Sequence, residues 1–120
     1  MPKFMVILHG VPGNWQELTP DDLQKKVAGY QSWMTEIRSS GRYVSGEKLA
    51  DEGGKRLTRQ KERLSVTDGP YSEAKEVVGG YFVFRAANYD EAVELMRDAP
   101  FLDDYRVELR QTDPMGCGGE

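Results

Sequence analysis

The chain has 120 residues, 30% of them charged, and a formal net charge of −4, which fits one domain large enough for a real core. Lys and Arg are scattered among acids with no basic stripe, so nothing prepares the surface for a phosphate backbone. The five apolar residues after Met1-Pro2-Lys3 are too few for a signal-peptide core or a membrane span, and the single Cys117 has no partner for an internal disulfide; the expectation is a cytoplasmic protein that meets neither nucleic acid nor membrane.

Phe4-Met5-Val6-Ile7-Leu8 is apolar on both alternating faces, which predicts a central strand covered on both sides. His9 ends it, and Gly10 to Asn14 reads as a loop. Thr19-Pro20-Asp21-Asp22 starts a helix: Thr19 caps, Pro20 suits the first helical position, and the acids favour the positive end of the dipole. Leu23, Val27, Tyr30, Met34 and Ile37 follow at steps of three and four and predict its core face, widened by Trp33. Arg38 and Gly41 mark the stop.

Arg42 to Leu49 predicts a strand with a glycine interruption, and Ala50 to Gly54 a turn. Lys55–Arg59 and Arg63–Thr67, joined by Gln60-Lys61-Glu62, read as a hairpin that delivers the chain to Asp68. In the Asp68-Gly69-Pro70 turn, Gly69 has backbone freedom and Pro70 a fixed φ, so the Asp68 carboxylate can be aimed in one direction. It can equally bond the amides of its own turn. Ser72 to Glu76 suits one helical turn, and Tyr81-Phe82-Val83-Phe84 is a second apolar strand. Asn88 and Glu91 form a capping box ahead of a helix whose buried face is expected at Tyr89, Ala92, Val93 and Met96. Tyr105, Val107 and Leu109 alternate with Arg106, Glu108 and Arg110, the pattern of a half-buried final strand.

Asp68-Gly69-Pro70-Tyr71-Ser72-Glu73-Ala74-Lys75-Glu76, followed by Gly79-Gly80-Tyr81, resembles the signature of the DGPF-domain branch of the YCII-related proteins. The turn there usually reads Asp-Gly-Pro-Phe, so Tyr71 departs by a hydroxyl. Phe4 to Gly10, Gly46-Glu47-Lys48-Leu49 and the order of elements carry the likeness over about residues 3 to 112. The resemblance implies a ferredoxin-like α+β fold, a split βαβ sandwich of the dimeric α+β barrel type, with a small-molecule site of unassigned substrate. The domain is expected over residues 1–112, with 113–120 a flexible tail.

The order of elements is compatible with the split βαβ plan on its own. Two helices cover one face of a four-stranded sheet, and the simplest cover for the other is a second copy, giving a homodimer. Burying roughly 600 Å² of apolar surface per subunit would supply on the order of 15 kcal/mol before association costs, at about 25 cal/mol per Å².

His9 is the only histidine, and its ordinary pKa suits proton transfer near neutrality. If the strands ending at His9 and Asp68 end on the same side, the two form an Asp-His pair for acid-base work. Glu47 and Lys75 would supply charge, Tyr71 and Tyr81 hydroxyls and aromatic walls, and Gly69 and Pro70 the rigid corner. A His-Asp dyad is also what the resemblance to YCII-type proteins suggests. One histidine and one tail cysteine make no zinc set, there is no phosphate loop or nucleophile elbow, and no metal or cofactor is expected. Two functions follow: a cofactor-free enzyme acting on a small organic molecule by elimination or isomerisation, as the resemblance implies, or a non-catalytic binding or regulatory module such as a partner in extracytoplasmic sigma-factor signalling.

Overall fold

Phe4, Val6 and Leu8 are buried along β1 (Lys3–Gly10), while Lys3, Met5, Ile7 and His9 alternate with them on a half-open face. This computed structural model describes residues 1–10, 17–50, 52–69 and 77–115. β1 lies between β5 (Val77–Arg85) and β6 (Arg106–Gln111), and β2 (Tyr43–Lys48) flanks β5, giving the order β2-β5-β1-β6 with antiparallel neighbours throughout. α1 (Pro20–Ser39) therefore joins two parallel strands with β5 between them. α2 (Tyr89–Met96) joins β5 to β6 with β1 between. These interleaved units are the ferredoxin-like split βαβ fold, and the α+β expectation holds.

The helix signals act as read. Thr19 Oγ1 accepts the Asp22 amide at 3.1 Å, and Gly41, just past the end of α1, takes φ +78°. Asn88 Oδ1 accepts from the Glu91 amide, and Glu91 Oε1 in turn accepts from the Ala87 amide and Arg42. Two expectations about buried faces need correction. Leu23 and Val27 are more than a third exposed, because α1 meets the core only from Tyr30 onward, through Tyr30, Trp33, Met34 and Ile37. On α2 the face turned to the sheet is Ala92 and Met96 with Leu95 beside them, and Val93 is rotated away. Tyr89 is half exposed; its ring stands edge-on to Phe4 at 4.9 Å and its hydroxyl accepts the Gln111 amide. The centre of the core is aromatic: Trp33, Phe82 and Phe101 meet at centroid distances of 5.4–5.7 Å.

The helices cover one face of the sheet. The other carries Met5, Ile7 and His9 from β1, Tyr81 and Val83 from β5, and Arg106, Glu108 and Arg110 from β6, as the register and burial alternation require. The hairpin of β3 (Lys55–Gln60) and β4 (Arg63–Asp68) is inserted between β2 and β5 as a separate two-stranded sheet. Lys61, with φ 58°, opens its two-residue turn. One face of this arm presents Leu57, Leu64 and Val66 at 62%, 60% and 52% exposure. The radius of gyration is 16.7 Å, where a compact chain of this length has about 14 Å. No helix among the described residues is long and apolar enough to cross a membrane.

Candidate functional site

A cavity of about 330 Å³ lies between α1 and the sheet. Tyr30, Met34 and Arg38, at steps of four along α1, form its roof, and Phe101 and Tyr105 close one side. Its floor and edge come from Leu8 on β1, Gly80 and Phe82 on β5, and Tyr43, Gly46 and Lys48 on β2. Glycines leave room for the walls. A Cβ on Gly46 would stand 2.6 Å from Phe82 Cβ, and one on Gly10 would stand 2.6 Å from Tyr105 Cδ1. A bulge between Leu8 and His9 lets Gly79 approach the same tyrosine ring.

Glu47 and Tyr81 border this cavity as a cross-strand pair. The register pairs Gly46 with the inward Phe82, so the side chains of Glu47 and Tyr81 point to the helix-free face, while Lys48, paired with Gly80, turns toward the cavity. The polar side chains aimed inward are thus phenols and two cations, Arg38 and Lys48. The Arg38 guanidinium sits 4.8 Å from the Tyr43 ring centroid.

Behind the roof, Asp104, with its side chain 9% exposed, accepts from Lys26 Nζ at 2.6 Å and from the Tyr30 hydroxyl at 2.5 Å. Burial first, then the bond to Asp104, raises the Tyr30 pKa well above that of an ordinary phenol. Tyr30 therefore keeps its proton and pins α1 to the turn Pro100–Asp103 instead of acting as a base.

The residues read from the sequence as an Asp-His dyad are not joined within one chain. His9 lies on the helix-free face, its side chain 25% exposed, with Nε2 3.0 Å from Glu108 Oε1. A carboxylate only accepts, so Nε2 carries the hydrogen in this bond and Nδ1 faces away from it. Asp68 ends β4 on the separate arm, 82% exposed and tied to Lys55 Nζ at 2.5 Å. Gly69 follows it with its amide donating to Gly54 O, and Pro70, Tyr71 and Lys75 lie outside the described residues. His9, Glu47 and Tyr81 do share the helix-free face: Glu47, Tyr81, Ile7 and Glu108 form one row across four strands, with His9 diagonal to it. Sequence reasoning missed Glu108, although the alternation of Tyr105, Val107 and Leu109 already put it on the face away from the core. Among the described residues, no group of three or more His, Cys, Asp and Glu side chains could hold a metal ion.

A comparison with curated proteins returned no match. Among solved structures, the chain is similar to 5-chloro-2-hydroxyhydroquinone dehydrochlorinase (TftG) from Burkholderia phenoliruptrix AC1100, in complex with 2,5-dihydroxybenzoquinone. The identity is 13% and the TM-score 0.54, over 92% of this chain and 93% of that one, a likeness of fold. The YCII-related domain matches residues 3–115, nearly the whole length, and the chain belongs to that family.

Proposed function

We propose that this protein binds a small cyclic organic molecule in the cavity beneath α1, and that it does so as a homodimer. The observation that carries the reading is the cavity itself: a void of ring size, walled by Phe82, Phe101 and three tyrosines, with a few polar groups at its rim. The fold likeness to an enzyme captured with 2,5-dihydroxybenzoquinone supports a ligand of that size. Elimination or isomerisation without a cofactor is the matching reaction class. His9, held by Glu108, lies on the opposite face of the sheet, so a ligand bound beneath α1 meets the phenols, Arg38 and Lys48 and not the imidazole. Asp68 enters only if the arm of a second copy brings it.

The dimer rests on two apolar surfaces: the helix-free face with Met5, Ile7 and Tyr81, and the arm face with Leu57, Leu64 and Val66. A two-stranded hairpin is marginal alone, and the arm's cations Lys55, Arg56, Arg59, Lys61 and Arg63 outnumber its acids Glu62 and Asp68 in a chain of net charge −4. We therefore assign that face to a second, acidic copy. A non-catalytic module, for instance in sigma-factor signalling, would use the same surface for a different protein.

The test has two halves. Titration with 2,5-dihydroxybenzoquinone should quench Trp33, which contacts the cavity walls Phe82 and Phe101; an unchanged signal, with no heat of binding, removes the ligand reading. Chloride release from a chlorinated hydroxyhydroquinone should vanish in Met34→Trp, which fills the cavity from its roof, and should persist in His9→Asn on the far face of the sheet. Release that survives filling of the cavity would take the cavity out of the chemistry.

A further inference from the structure

Arg38 stands apart from the other cations near the core. Lys26 is held by Asp104 and Arg42 by Glu91. Among the described residues no carboxylate or carbonyl accepts from Arg38; its guanidinium stands over the Tyr43 ring at the cavity wall. Lys48 Nζ, bonded to Leu49 O at 2.7 Å, is the second cation of the lining. The strand register turns the one acid of the lining, Glu47, to the opposite face of the sheet. Tyr30, the phenol that α1 contributes to the lining, has its hydroxyl hydrogen committed to Asp104.

An apolar void with aromatic walls, a guanidinium without an acid, and no inward carboxylate is built for a flat molecule with negative charge at one edge. We propose that Arg38 is the specificity-determining residue of this cavity and selects a cyclic acid, an ionised oxygen group on a planar ring. The carboxylate or enolate oxygens accept from the guanidinium, in the two-pronged geometry that Arg offers and Lys does not. The ring lies against Tyr43, Phe82 and Phe101. Lys48 adds positive potential without the fork. This assignment rests on the cavity being the binding site.

Benzoate and its neutral isostere benzamide separate the charge from the ring. Calorimetric titration of the full chain should show benzoate binding about tenfold to a hundredfold more tightly than benzamide, the range of a hydrogen bond to a charged partner. Arg38→Gln should bring that ratio close to one with benzamide unaffected, and Arg38→Lys should restore only part of it. Equal binding of the two probes to the native chain, or a preference that survives Arg38→Gln, overturns the assignment. Met34→Trp, which fills the cavity from its roof, keeps the two readings apart. If it abolishes binding of both probes while Arg38→Gln changes nothing, the cavity stands and the role of Arg38 falls. If it leaves binding intact, or if neither probe binds at all, both fall.

Discussion

Asp104 gives the sharpest test of how the cavity roof is held. Its nearly buried carboxylate accepts from Lys26 and from Tyr30, both on α1. Asp104→Ala removes two hydrogen bonds to a charged group, worth about 1.5–3 kcal/mol each. The Lys26 bond is discounted because its ammonium is partly exposed. The expected loss is about 3 kcal/mol, or about 12 °C in Tm at roughly 4 °C per kcal/mol for this length. Tyr30→Phe removes one bond and should cost about half as much. The double variant should cost less than the sum, since the two changes share a bond. Urea unfolding measures all three. The pH dependence adds an independent readout. The folded chain holds the Tyr30 proton more tightly than the unfolded chain does, so this contribution is intact below pH ~10 and is lost as pH rises further. Removing Asp104 should flatten that alkaline limb. A stability of Asp104→Ala within about 0.5 kcal/mol of native, with the limb unchanged, would refute the argument that this network anchors α1.

Two further outcomes are expected. Gly10→Ala places a methyl group 2.6 Å from the Tyr105 ring; overpacking of this kind costs about 1–3 kcal/mol, and because Tyr105 lines the cavity, ligand affinity should fall with Tm, whereas an unchanged Tm would mean the ring moves freely. The native chain should run as two copies by light scattering, and the paired change Leu57→Asp and Leu64→Asp should yield a folded single copy. A native monomer would end the homodimer reading, and a variant that stays dimeric would free the arm from any part in it.

The sequence carried the frame of the fold. Caps at Thr19 and Asn88, the apolar strands around Val6 and Phe82, and the alternation after Tyr105 suffice for the split βαβ plan, because each is a local signal with a local cause. What stayed hidden depends on neighbours far along the chain. Glu108 could be placed on a face but not matched to His9 until β6 was seen beside β1. Arg38 reads as an ordinary cation in the last turn of a helix; only the Tyr43 ring and the glycines beneath it make it part of a cavity. Asp104 follows a turn and belongs to no periodic stripe, so nothing announces its burial. The hairpin was legible, yet its residues do not say whether it extends the main sheet or stands apart from it. That difference separates Asp68 from His9.

The strand order also governs when this chain can fold. β1 leaves the ribosome before the other strands of its sheet yet occupies the middle of it, and one of its flanks waits for β6, whose Glu108 lies 99 residues after His9. Until β6 is made, a strand of Phe4, Val6 and Leu8 carries unpaired amides and carbonyls along that side. Closure of so long a loop makes folding slow, and the layer that β1 starts is sealed only once β6 arrives.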